Sequence, residues 1–136
     1  MNVLRRKQKP TRAARLARRK SRFYFGMGFL IPALVTLVGF IIIGVWPFGD
    51  GTVLIIDSLH QYLPFYTDLH EKLVNHESLL YSFSGGLGYD FWATFAYYMA
   101  SPLNFVLALV PTANVADMMD LLILVKIGLC GGTFSW

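Results

Sequence analysis

From Phe23 to Gly49 the chain runs 27 residues without a charge, and ten basic residues stand just before it, between Arg5 and Arg22. At 1.5 Å rise per residue a helix over that run would reach roughly 40 Å, enough to cross a hydrocarbon core of about 30 Å. A cleavable signal peptide has an apolar part of only about 7–15 residues followed by a small-x-small site. This run is longer and ends in Val45-Trp46-Pro47. Residues 23–49 therefore read as a first transmembrane helix, with Pro32 able to kink it and Trp46 placed as an interfacial anchor. Composition agrees: 15% of the 136 residues are charged, 55% are hydrophobic and the mean hydropathy is +0.50, against about 25% charged in a soluble domain. An ordinary soluble enzyme is excluded on these grounds. A disulfide framework is excluded too, because Cys130 is the single cysteine and reads as a small hydrophobe in an apolar run.

The net charge of +4 conceals two opposed parts. Residues 1–22 carry +10, and the remainder sets two lysines against eight acids. A basic tail beside a membrane span predicts a cytoplasmic N-terminus and an outward Asp50. The same tail suits anionic lipid, at about 1 kcal/mol per Lys or Arg near the surface. Nothing in it interleaves aromatics for base stacking, so no nucleic-acid partner is expected.

Residues 50–90 form an extracytoplasmic loop holding six of the eight acids and all three histidines. Thr52 to Ile56 is a short β-branched apolar run, and Asp57-Ser58 offers an N-cap for a helix through Val74. Leu59, Tyr62, Tyr66, Leu69 and Leu73 recur at helical spacing, which predicts an amphipathic helix lying in the membrane interface and kinked at Pro64. Ser84 to Gly88 reads as a flexible turn. Residues 91–116 are again uncharged but are interrupted by Ser101-Pro102-Leu103-Asn104 and by Pro111. They either span or form a re-entrant pair of short helices, which needs cover from protein or a watery cavity. Residues 117–136 open a further transmembrane helix, apolar from Leu121 and still running at Trp136, so the chain reads as the N-terminal piece of a longer polytopic protein.

Asp57 is the first candidate for chemistry. A half-buried carboxylate at the outer end of the first helix would hold its proton more tightly and serve as general base toward a hydroxyl, although an N-cap is the simpler role. Gln61 and Asp68 share its helical face, and His60 flanks it. Eleven residues of helix put Asp57 and Asp68 roughly 16 Å apart, too far for a shared metal ion or a carboxyl pair. His60, His70 and His76 lack the His-Glu-x-x-His spacing of a zinc site and read as solvated or interfacial, so no metal ligands are assigned. Gly85, Gly86 and Gly88 lack the Lys-Ser/Thr of a phosphate loop. Tyr89, Trp92, Phe95, Tyr97 and Tyr98 suit an interfacial aromatic belt or a sugar platform. Lys126, six residues into an apolar run, either snorkels, pairs with Asp120 or meets a lipid phosphate.

Asp57-Ser58, Gln61 to Phe65, Ser84 to Asp90, Tyr97-Tyr98 with Ser101 to Asn104, and Lys126 to Leu129 occur in an order that resembles the YfhO family of bacterial multi-pass membrane proteins. That family's architecture is similar to the GT-C class of glycosyltransferases. The resemblance covers about residues 40–136 and implies an all-α polytopic membrane fold, GT-C-like in its N-terminal part. Two or three membrane helices would then frame an outer loop with an interfacial helix. It implies inverting transfer of a sugar from a polyprenyl-phosphate donor to a cell-envelope polymer such as teichoic acid, on the outer face of the cell membrane. In GT-C enzymes an acid in the first outer loop is the usual catalytic base, and the position matching it here is Asp57; the carry-over stops there, and His60, Gln61, Tyr89, Asp90 and Lys126 are the candidate substrate contacts by their own position and chemistry. No cofactor is expected, with a divalent metal left open, and the fragment alone is expected to be inactive. The competing classes are a non-catalytic membrane component, such as a transporter or flippase subunit, and a lipid-anchoring module.

Overall fold

The computed structural model describes residues 11–136, so the first part of the basic tail, with Arg5, Arg6, Lys7 and Lys9, lies outside the described residues. Helix α1 spans Arg12–Ile43. It starts eleven residues before the expected Phe23, because the Arg, Lys, Ala and Leu of the basic stretch are strong helix formers and extend the apolar helix backwards. It also stops earlier than expected, at Ile43 instead of residue 49. Gly44 takes φ +69°; Val45 N–H then donates to Phe40 O at 2.9 Å and Gly44 N–H to Ile41 O at 3.3 Å. This is a Schellman stop, and its apolar partners Phe40 and Val45 are both buried. Trp46 therefore lies beyond the helix. Pro32 sits inside α1 without interrupting it.

Helix α4, Val115–Phe134, packs antiparallel on α1. Gly128 meets the ring of Phe29, Gly132 meets Phe25, and a Cβ at Gly131 would collide with the Gly28 carbonyl. Ser135 Oγ donates to Tyr24 O at 3.0 Å, tying the last turn of α4 to the early part of α1. Small residues permit this backbone approach, the usual device of helix pairs that lack a hydrophobic drive between them. The opposite face of α1 is bare: Leu30, Ile31, Val35, Val38 and Ile42 are all exposed, and only 11% of its most apolar window, mean hydropathy 2.4, is buried. Leu16–Ile43 is the stretch of helix long and apolar enough to cross a membrane among the described residues.

Residues 44–114 form a lobe on the side where α1 ends and α4 begins. A π-helical turn, Ser58–Tyr62, leads into α2, Leu63–Val74. Pro64 falls in the first turn of α2, where its missing N–H is harmless, and the wide π-turn before it absorbs the ring. The expected kink is thus this π-to-α junction. Strands β1, Tyr81–Ser82, and β2, Tyr89–Asp90, pair antiparallel, and the glycine-rich segment between them closes the hairpin with Gly86 and Gly88 at positive φ. Helix α3, Phe91–Thr94, continues into a π-turn, Phe95–Met99, then 3-10 segments Pro102–Leu109 and Thr112–Asn114. Residues 91–114 therefore contain no helix long enough to cross a membrane, since Pro102 and Pro111 each force extended backbone at the preceding residue or their own. Helix α4 begins at Val115 instead of Leu121, with Asp117 favourably placed in its first turn.

The core lies in this lobe. Leu54, Tyr66, Leu69, Phe91, Met99, Leu107, Val115, Met119 and Leu122 form one buried cluster, each large apolar side chain contributing about 1.5–3 kcal/mol. Tyr66 and Leu69 are buried, and Tyr62 and Leu73 pack against the same cluster, while Leu59 stays 39% exposed. The amphipathic face of α2 is accordingly turned to protein, not spread on lipid.

Candidate functional site

The site is built where the chain enters the lobe. Ile56 holds φ +48°, a left-handed conformation that is costly for a β-branched residue, by about 1–3 kcal/mol. The neighbourhood supports it: Ile56 O accepts from Leu59 N–H and His60 N–H, and Ile55 O accepts from Ser58 N–H. The result is a sharp turn that launches the π-helix and puts Asp57 at its head. Two expectations for Asp57 are corrected. Its side chain makes no capping hydrogen bond, because Asp57 already has helical dihedrals, φ −62° and ψ −34°, and an N-cap side chain needs extended backbone to reach back. It is also exposed instead of half-buried, since its neighbours Ile55 and Ile56 are themselves 67% and 72% exposed.

Ser58, the next residue, lines a partly enclosed cavity of about 220 Å³ together with Leu54, Tyr62, Tyr66, Ile123 and Lys126. Lys126 Nζ donates to Asn104 Oδ1 at 3.1 Å. Asn104, fully buried, donates through Nδ2 to Tyr66 Oη at 3.0 Å and to Met99 O at 2.9 Å. Burial pushes the Tyr66 phenol above its ordinary value, opposed by the Asn104 bond. Lys126 thus turns inward to Asn104. It neither snorkels nor pairs with Asp120. Asp120 is 1% exposed and faces Thr52 and Val53, yet neither of its carboxylate oxygens closes a hydrogen bond among the described residues.

The other candidates lie along one face of the π-turn and α2, where Phe65 meets both Tyr98, at 5.2 Å, and Tyr89, at 6.2 Å. Gln61 Nε2 donates to Tyr98 Oη at 3.0 Å, and Tyr98 stacks edge-on to Tyr62 at 5.2 Å. His60 is exposed beside them. Tyr89 belongs to the hairpin instead, where its hydroxyl donates to Asp68 Oδ2 at 2.7 Å while Ser84 Oγ donates to Oδ1 at 3.1 Å. Burial, the hydrogen bond to Asp68 and the charge of Asp68 together raise the Tyr89 phenol to about 12. Asp90 caps α3, accepting from Ala93 N–H at 3.0 Å. Lys126 therefore shares a cavity with Ser58, the residue after Asp57, whereas Gln61 and Tyr89 belong to the aromatic row along Phe65 and Asp90 caps α3.

Two residues that sequence patterns underrate hold the lobe together. His70 is 3% exposed, contrary to its expected solvation. Its Nδ1 lies 2.9 Å from Leu107 O and its Nε2 3.1 Å from Thr112 Oγ1. A carbonyl only accepts, so Nδ1 carries the proton and Nε2 accepts from Thr112 in the neutral ring. Lys72, 5% exposed, donates to Tyr81 O at 3.0 Å and lies 3.7 Å from Glu77 and 5.2 Å from the Phe91 ring centre. Cys130 is exposed on α4. Among the described residues no three of His, Cys, Asp and Glu converge to hold a metal ion.

The family described as "Bacterial membrane protein YfhO" matches residues 27–136. No curated protein and no solved structure matches the chain. That match covers α1 from Met27 onward, the whole lobe and α4, far more than half of the sequence, and with the bare apolar helix it makes this chain a membrane protein belonging to the YfhO family.

Proposed function

We propose that this chain is the N-terminal part of a membrane glycosyltransferase that moves a sugar from a polyprenyl-phosphate donor to a cell-envelope polymer, such as a teichoic acid, on the outer face. Helices α1 and α4 cross the membrane in opposite directions, the basic tail stays on cytoplasmic anionic lipid, and residues 44–114 face outward. The observation that carries the reading is the exposed carboxylate of Asp57 at the head of a strained turn, one residue before the wall of a cavity that also holds Lys126. An exposed carboxylate at a fixed place can take the proton of an acceptor hydroxyl as that oxygen attacks the anomeric carbon and the phosphate leaves with the bonding pair. His60 and Gln61, on the turns just after Asp57, contact the sugar or acceptor. Tyr89, against Phe65 on the face that carries Gln61, and Asp90 are further substrate contacts. The proposal needs no metal ion.

The test is transfer itself. The complete protein in native-like membranes is given a polyprenyl-phosphate donor carrying a labelled sugar, and label should appear in envelope polymer. The buried Asp120 and inward Lys126 on α4 favour one other reading, a non-catalytic transporter or flippase subunit with pathway charges. Donor flipping without any covalent transfer would establish that reading and remove the first.

A further inference from the structure

Lys126 carries a charge without a counter-charge. Its ammonium makes one hydrogen bond, to a neutral amide oxygen, and the ion pair found among the described residues is Lys72–Glu77, elsewhere in the lobe. A half-buried ammonium in that condition is costly until an anion completes it. Hydrogen-bond polarity fixes what the cavity offers such an anion. Asn104 Nδ2 lies against the Met99 carbonyl, which cannot donate, so the amide orientation is settled and Oδ1 is the atom facing Lys126. Tyr66 Oη accepts from the same amide, which leaves its own O–H to point away from Asn104. Lys126 keeps two further N–H groups. Both residues line the cavity, no carboxylate does, Ser58 and Tyr62 bring hydroxyl-bearing side chains, and Leu54, Met119, Leu122 and Ile123 make the rest of the wall apolar. At about 220 Å³ the space is below the roughly 300–1,000 Å³ of a drug-sized pocket and several times the ~30 Å³ of a water. It suits one oxyanion and the first carbons of an apolar chain. A lysine, a compact point charge with three donors, is a common partner of phosphate.

We propose that this cavity is a subsite for the phosphate of an amphiphilic phosphoester, bound by Lys126 Nζ and Tyr66 Oη, with Asn104 as the positioning residue that aims both donors. The apolar chain leaves along Leu54, Leu122 and Ile123. This deepens the transferase reading and rests on it for the ligand's identity, the phosphate that joins sugar to lipid in the donor.

The protein, in nanodiscs of zwitterionic lipid, is titrated with a short-chain polyprenyl monophosphate, with phosphatidylglycerol and with inorganic phosphate, and bound species are counted by native mass spectrometry. Polyprenyl monophosphate should bind saturably, and Lys126→Met should weaken it by about 10- to 100-fold, the scale of a hydrogen bond to a charged group. Asn104→Asp should weaken it at least as much although the lysine remains, because the new carboxylate takes up the charge. Helix content by circular dichroism should not change in that variant. Equal affinity for wild type and both variants overturns the subsite. Phosphatidylglycerol competing with the same dependence on Lys126 supports the anion subsite with a membrane headgroup as its source, and overturns its link to the donor. Inorganic phosphate binding as tightly as the polyprenyl ester overturns the apolar-chain part. Sugar transfer that is lost in Asp57→Asn while Lys126→Met binds lipid normally overturns the subsite and leaves the transferase reading standing.

Discussion

Tyr89→Phe removes one hydroxyl and tests how the hairpin is held against α2. That hydroxyl donates at 2.7 Å to a carboxylate, Asp68, that is 5% exposed. Hydrogen bonds to charged groups are worth about 1.5–3 kcal/mol, and the half-exposed position of Tyr89 places this one near 1.5 kcal/mol. Ser84 still satisfies the other oxygen, so the loss should open the hairpin more often without unfolding α2. The pH dependence follows from the phenol. Its folded value of about 12, set first by burial and then by the bond and charge of Asp68, lies above the ordinary 10, so its contribution is complete below pH 10 and is lost as pH rises from about 10 to 12. The chain has seven tyrosines. The difference between wild-type and Tyr89→Phe tyrosinate absorbance isolates one of them and should titrate near 12. Asp68→Asn should bring it only part of the way back, because burial remains the largest cause. A difference titration centred near pH 10, or an unchanged unfolding midpoint in Tyr89→Phe at neutral pH, would refute this account of the hairpin.

Gly131→Val should drive a side chain into the Gly28 carbonyl and Pro32 and separate α1 from α4; a Tyr24→Cys/Ser135→Cys pair in a Cys130→Ser background should be cross-linked by a short bifunctional thiol reagent in the parent, where the two residues are in contact, and several-fold less in the variant. His76 ends α2 at φ +56°, with Glu77 N–H donating to Lys72 O, so His76→Gly should raise stability by about 0.5–1 kcal/mol, read from the thermal midpoint. Single cysteines at Asn75 and Thr11, again in Cys130→Ser, report sidedness: an impermeant thiol reagent should label Asn75→Cys on intact cells and spare Thr11→Cys.

The long apolar helix was legible because 27 uncharged residues permit little else, and the family because its short motifs keep their order. The ends of that helix were not: a Schellman stop at Gly44 depends on φ and on Phe40 meeting Val45, which no hydropathy window records. The periodic face of α2 was visible in Tyr62, Tyr66, Leu69 and Leu73, but its partner was not, because apolar spacing does not distinguish lipid from protein. The inward turn of His70 and of Lys126 was hidden for a related reason. Each is polar in a sequence context that suggests solvent or snorkelling, and each is taken inward by a partner 22 or 37 residues away. The one available signal was Asn104, an amide in an apolar stretch between Ser101-Pro102 and Pro111, where a buried polar group must find partners. Asp57 was legible as a candidate from position alone, while its freedom from a capping role depends on backbone dihedrals.

That freedom makes the decisive measurement clean. Asp57 makes no capping bond, so Asp57→Asn and Asp57→Ala should both unfold at the wild-type midpoint, and neither substitution confuses base with cap. General base catalysis contributes about 10²–10⁴-fold. In the complete protein, supplied with a polyprenyl-phosphate sugar donor and its envelope acceptor, both variants should slow sugar transfer by that factor at wild-type protein level. Transfer at the wild-type rate in either variant would contradict Asp57 as the base.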